Sequence, residues 1–220
     1  MARLKWSEEG KRFYETGAEQ GVLFVKNKGT YENGVPWDGL TKFSVNPTGG
    51  ESTPVYANDI KYLNLVSSEE TEGTIESLTY PDEFEECQGH KEVAKGVYAA
   101  QQSKKLFGFV CKTLIGNDED GDGHAYRIHI IYNAMAAPTQ IDHETINKDP
   151  NTVTMSWSFT TTPVSVDVKD VKPTAYLVID SRKTDAAKLK ALEDKLFGGD
   201  TTESELPTPK EVIELVGSAE

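Results

Sequence analysis

From residue 153 to residue 160 the side chains alternate without a break. Val153, Met155, Trp157 and Phe159 fall on one side, and Thr154, Ser156, Ser158 and Thr160 on the other. A period of two is the signature of a β-strand with one face buried and one face wet. Residues 126–132 repeat it: Tyr126, Ile128, Ile130 and Tyr132 against Arg127, His129 and Ile131. Residues 106–115 read as a strand feeding into this one through an acidic loop at 116–123. Three such strands make a large apolar sheet face, and the remaining chain must cover it. The expected class is therefore mainly β, an antiparallel sandwich or barrel.

Weaker signals place the other elements. Residues 21–25 form a short apolar strand. Residues 27–39 are broken by Asn33-Gly34, Pro36 and Asp38-Gly39, which mark turns. A strand at 40–46 ends at Pro47 and Gly49-Gly50. The second half of 55–66 and residues 74–80 read as partners in a hairpin, with the acidic stretch 67–73 between them. Residues 81–105 read as a loop with a short helix within 92–102, and 133–150 as a polar excursion. Residues 163–171 alternate Val164, Val166 and Val168 with polar residues, and 174–179 are a further strand. The period then changes: Leu189, Leu192 and Leu196 lie on one face of a flanking C-terminal helix at 185–197. Thr184 or Asp185 can cap it and Gly198-Gly199 stop it. Residues 1–20 are expected to be an N-terminal arm with a helical turn after Ser7, 21–198 the β domain, and 199–220 an acidic C-terminal arm. The apolar residues of 212–216 can dock on this chain or on a neighbour.

The formal charge is −13 in 220 residues. Residues 67–92 hold nine acids and one base, and residues 198–220 six acids and one base, so these stretches carry −8 and −5 and the rest sums to zero. No basic patch is left to grip phosphates, which argues against nucleic-acid binding. An acidic surface can still let DNA pass by repelling it. Apolar content of 37% and a mean hydropathy of −0.51 point to much exposed or partner-covered surface. No run reaches the roughly 20 apolar residues of a membrane helix. No export signal is expected at the N-terminus, and Cys87 and Cys111 read as free thiols.

The sharpest chemical motif is Asp118-Glu119-Asp120-Gly121-Asp122-Gly123. Its spacing matches the first half of a calcium loop. The position that needs a bidentate Glu is His129, however, and the flanks are strands rather than helices. The alternative is an acidic turn with Gly121 and Gly123 at positive φ. His124 and His129 are an odd number apart and so on opposite strand faces, and Cys87 with His90 has no second pair for zinc. Adjacent acids such as Glu69-Glu70 and Glu85-Glu86 read as solvated surface. No nucleophile elbow, phosphate loop or dinucleotide fingerprint occurs. Neither a catalytic set nor a cofactor is expected.

Several segments, in order, resemble one family. Gly34-Val35-Pro36-Trp37-Asp38-Gly39-Leu40-Thr41, residues 53–62 (TPVYANDIKY) and Thr79-Tyr80-Pro81-Asp82-Glu83-Phe84 are similar to the major tail proteins of long-tailed bacteriophages of Gram-positive hosts. Gly96-Val97, Gln101-Gln102, Lys105-Leu106-Phe107-Gly108, Ile115-Gly116-Asn117-Asp118, Thr161-Thr162-Pro163 and residues 186–193 (AAKLKALE) continue the likeness. The resemblance implies a tail-tube fold and a structural virion protein. Its hexameric rings would stack into a hollow tube for genome delivery, made in the host cytoplasm. The implied partners are other copies, the tape measure, tail tip and terminator proteins, and DNA in transit without specific binding, with no membrane insertion by this chain. Glu69, Glu70, Glu72 and Glu76, placed on a hairpin spanning residues 60–80, are candidate lumen-lining residues. Asp118, Glu119, Asp120 and Asp122 are candidates for an inter-ring loop, and both terminal arms for inter-ring links. A calcium-dependent β-sandwich module for a glycan or cell surface is the competing reading.

Overall fold

The structure is a computed structural model that describes residues 3–140, 152–199 and 201–217. Thirteen strands and three helices follow in chain order: β1 (Tyr14–Asn27), β2 (Thr30–Tyr31), β3 (Val35–Trp37), β4 (Leu40–Gly49), β5 (Ser52–Ala57), β6 (Ile60–Val66), β7 (Glu69–Ser77), α1 (Phe84–Gln88), β8 (Lys91–Ala94), β9 (Val97–Ala99), β10 (Phe107–Asn117), β11 (Gly121–Ala136), β12 (Met155–Thr161), β13 (Tyr176–Asp180), α2 (Ala186–Leu196) and α3 (Pro209–Val216). The class is mainly β, as the alternating pattern requires.

One antiparallel sheet runs β2-β1-β10-β11-β12-β7-β4, with β3 also on β1 and β13 also on β11. Strand β11 changes partner along its length. Arg127 to Ile131 pair with β13, and Ala134 to Ala136 pair with β12. This switch folds β12, β7 and β4 over one face of β1, β10 and β11. Between them lies an aromatic core of Trp37, Phe84, Phe107, Phe109, Trp157 and Phe159. Trp37 is its hub, with ring centroids 4.6 Å from Phe84 and 5.6 Å from both Phe109 and Trp157.

The opposite face of the same strands carries a second core. Val22, Phe24, Val110, Ile128, Ile130 and Tyr132 meet Leu189, Leu192 and Leu196 of α2. Residues 21–25 are a continuous apolar run because both their faces are buried. The α2 periodicity was legible, and the Asp185 carboxylate accepts from the Ala187 and Lys188 N–H groups as its cap.

Several expectations are corrected. Residues 14–20 are part of β1, paired to β10, and not a free arm; between Ser7 and Lys11 there is a turn rather than a helix. Residues 60–80 are not one hairpin. Strand β6 pairs with β5, while β7 pairs with β4 and β12. Strand β4 does not stop at Pro47, which sits within it opposite Thr71. An edge strand tolerates proline because a donor turned outward has no partner to lose. Residues 91–99 are a hairpin, and the short helix lies at Phe84–Gln88. Residues 163–171 make an isolated bridge, Val164 to Thr174, in place of a strand. The polar excursion beyond residue 140, with His143, lies outside the described residues.

The C-terminal segment is not a free arm over residues 203–217. Leu206 and Val212 are buried against the second core. Gly108 makes room for this docking, since a Cβ there would stand 2.2 Å from Leu206. The Tyr132 hydroxyl donates to the Pro207 carbonyl at 3.0 Å. Helix α3 starts with a complete capping box, Thr208 with Glu211, and Pro209 in its first turn. Replacing Thr208 with Ala should cost about 1 kcal/mol, read as a lower urea midpoint and faster amide exchange in 209–216. An unchanged midpoint would mean that packing alone holds α3.

Candidate functional site

Strands β4 to β7 form one long ribbon folded on itself. Its inner half is the β4–β7 pair, from Leu40 with Ser77 to Gly49 with Glu69. Its outer half is the β5–β6 pair, from Ser52 with Val66 to Ala57 with Ile60. The tip is Asn58-Asp59, at φ 52° and 62°. Two successive positive φ values are what a two-residue type I′ turn demands, and they match the right-handed twist of the strands. Asn-Asp is a weaker signal than Asn-Gly, which is why the acidic stretch at 67–73 looked like the better turn.

The outer half belongs to no other sheet. Its six residue pairs extend roughly 20 Å. Every residue of β6 is exposed, including Tyr62 at 66%, Leu65 at 59% and Val66 at 67%; across the turn Tyr56 is 67% exposed. Such a run of bare aromatic and aliphatic side chains on a two-stranded ribbon is marginal in water by itself. The β8–β9 hairpin repeats the feature on a smaller scale, with Val93, Val97 and Tyr98 exposed.

The inner half has a different surface. Gly73, Ile75 and Ser77 face inward, so Glu70, Glu72, Thr74 and Glu76 face outward. Opposite them on β4 stand Thr48, Asn46, Ser44 and Lys42. On β12 the same face continues with Ser156, Ser158 and Thr160. This is a polar face of short side chains carrying three carboxylates, with one cation, Lys42, held by Glu76 at 2.9 Å. Three of the four candidate lumen acids are thus brought together. Glu69 is on the other parity, beside Gly50. The outer side of β4 has no strand against it.

The acids of the 118–122 turn diverge. Asp118 accepts from the Arg12 N–H at 3.3 Å, and Asp122 accepts from the Tyr14 hydroxyl at 2.8 Å. Asp120 is held below the usual carboxylate range by hydrogen bonds from His124 and Asn117. Gly121 has φ 64°, whereas Gly123 does not have a positive φ. Among the described residues, no three His, Cys, Asp or Glu side chains gather as a metal site. The turn instead clasps residues 10–14 of its own chain.

Behind that clasp a buried relay joins three strands. The Tyr176 hydroxyl donates to His129 Nδ1 at 2.6 Å, His129 Nε2–H donates to Thr113 Oγ1 at 2.8 Å, and the Thr113 hydroxyl donates to Glu15 at 2.7 Å. The chain of donors requires neutral His129, and burial lowers its pKa. The unfolded state therefore takes up the proton first as pH falls. Stability from this group is complete above about pH 6.5 and declines below it, by at most about 1.4 kcal/mol per unit. The urea midpoint should drop more between pH 7.5 and 5.5 in the parent than in His129→Gln, which keeps a donor and an acceptor. Equal drops would exclude His129 as the source. Cys87 and Cys111 are free and buried; burial pushes the Cys87 thiol up to about 12 and raises Cys111 further. Both remain protonated and unreactive.

No family model matches the sequence, and no curated protein matches it. Among solved structures, the chain aligns with one from the six-fold symmetrised baseplate of the anti-feeding prophage, at 9% identity and a TM-score of 0.39, covering 81% of this chain and 97% of that one. It also aligns with one from the sheath/tube terminator of an extracellular contractile injection system in its extended state, at 9% identity and a TM-score of 0.35, covering 80% and 99%. Superpositions this loose carry no argument about what the chain does.

Proposed function

We propose that this chain is a structural, non-catalytic subunit of a phage tail tube, assembling with copies of itself into stacked hexameric rings around an acidic lumen. The observation that carries the reading is the 40–77 ribbon. Its outer half exposes apolar side chains that need a partner surface, and its inner half presents a polar, acidic face beside an open strand edge. The ordered likeness of segments along the sequence to tail-tube proteins points the same way. An apolar ribbon that seats on a different surface of the next copy makes a heterologous contact, which closes into a ring by rotation or repeats along an axis. An open β4 edge is removed when a neighbour's strand pairs with it. Glu70, Glu72 and Glu76 would then line a conduit through which DNA slides without sticking. Tape measure, tip and terminator proteins would be its partners at the tube interior and ends, and the virion tail its location.

The test is negative-stain electron microscopy of the purified protein over a concentration series, with sedimentation in parallel. Six-fold rings or hollow tubes are expected. A monomer at every concentration, with and without tail-tip extract as initiator, would overturn the reading.

A further inference from the structure

The first half of β1 differs from its second half. Residues 21–25 are buried in both cores, whereas 14–20 lie almost wholly exposed along the β10 edge. The pairing with β10 slips twice, between Thr16 and Ala18 and between Glu19 and Val22. Gly17 and Gln20 both have positive φ, at 61° and 53°. A strand interrupted in this way has a pivot between its anchored and its surface halves.

What fastens the surface half is polar. Arg12 pairs with Asp118 at 3.4 Å, Tyr14 with Asp122, and Glu15 with Arg127 and Thr113. Beyond the clasp, Leu4 and Trp6 are 75% and 77% exposed. Residues 3–19 are thus a strap carrying apolar anchors at its free end, clipped onto an edge whose side chains and backbone it complements.

We infer that this strap is exchangeable: residues 3–19 of one copy pair with the 112–117 edge of β10 in another copy, in the register Tyr14 with Gly116, Thr16 with Leu114 and Glu19 with Lys112. The occupant is the same sequence that fills the edge within one chain, so the fit is already displayed. Exchange keeps the strand pairs and clips, and places Leu4 and Trp6 against the neighbour. This deepens the tail-tube reading by naming one contact that links copies, and it rests on that reading for its setting.

The test uses two single variants of the full chain, Thr16→Cys and Leu114→Cys, mixed, assembled and oxidised with copper–phenanthroline. The double variant is the control, closing a disulfide within one chain as a monomer. In the mixture, a 16–114 disulfide can form only between chains. Heterodimers on non-reducing gels, mapped by mass spectrometry and more abundant than either homodimer, are the expected result. Tubes without such heterodimers would overturn the exchange and leave the tube reading standing. Heterodimers without rings or tubes would support the exchange and overturn the tube reading. Uncross-linked monomers alone would overturn both.

Discussion

Replacing residues 51–67 with Asn-Gly, so that Gly50 and Ser68 flank a two-residue turn, leaves a chain that folds but no longer makes tubes. The β4–β7 pair ends at Gly49 with Glu69, so the new turn closes a ribbon already in register. The excised strands lie in no other sheet and are almost fully exposed. Their loss should therefore change stability by no more than about 1 kcal/mol. Assembly should fall below detection at concentrations where the parent forms tubes. A gentler version, Tyr62→Ser with Leu65→Ser and Val66→Ser, removes three side chains and leaves the backbone. If they are interface anchors, each contributes about 1–2 kcal/mol per contact, so the critical concentration for assembly should rise by two orders of magnitude or more. Tubes of normal length from the excised chain would remove the ribbon from the assembly mechanism.

Trp37→Ala should be the most damaging single substitution in the core, costing about 3–5 kcal/mol. The indole is 2% exposed and touches Phe84, Phe109 and Trp157, and its N–H donates to the Thr79 carbonyl at 2.9 Å. It also sits where β3 turns into β4, so the cavity opens between the two halves of the folded sheet. A domain of this size has a total stability of about 5–15 kcal/mol, and the variant should unfold at a markedly lower urea concentration. Trp37→Phe keeps most of the volume and should recover about half of the loss. A cost under 1.5 kcal/mol for the alanine variant would show that the aromatic cluster collapses around the gap.

The sheet was legible wherever one physical constraint acted alone. Residues 153–160 alternate because β12 has one buried and one wet face, and α2 shows its leucine stripe because only one side of it meets the sheet. Residues 126–132 were harder, since β11 buries both faces and the alternation there separates two cores rather than core from water. Strand β4 ran past Pro47 because an edge position forgives a missing donor, a fact that depends on tertiary placement. The ribbon partner was misassigned for a similar reason: β6 carries as much apolar content as a core strand, and nothing in its composition says that it leaves the body of the protein. Capping residues Thr208, Pro209 and Glu211 did signal a helix near the C-terminus. Its acidic composition suggested a solvated arm, and the buried face of Leu206 and Val212 was too short to outweigh that. At the candidate site, three of four glutamates fell on one face by strand parity, although the hairpin invoked for them was the wrong one.

Pro47 has a consequence for how copies can meet. Along the free side of β4, every second residue offers an amide to an incoming strand, except at this ring. A guest strand can zip continuously against 40–46 and then loses its next donor. The edge is therefore a track with a built-in stop: it has a beginning and an end, and a strand slid along it by two residues forfeits hydrogen bonds that the correct placement keeps. A length gauge of this kind gives every junction in a closed ring the same offset, which is what a circle of identical parts must have if the last copy is to meet the first.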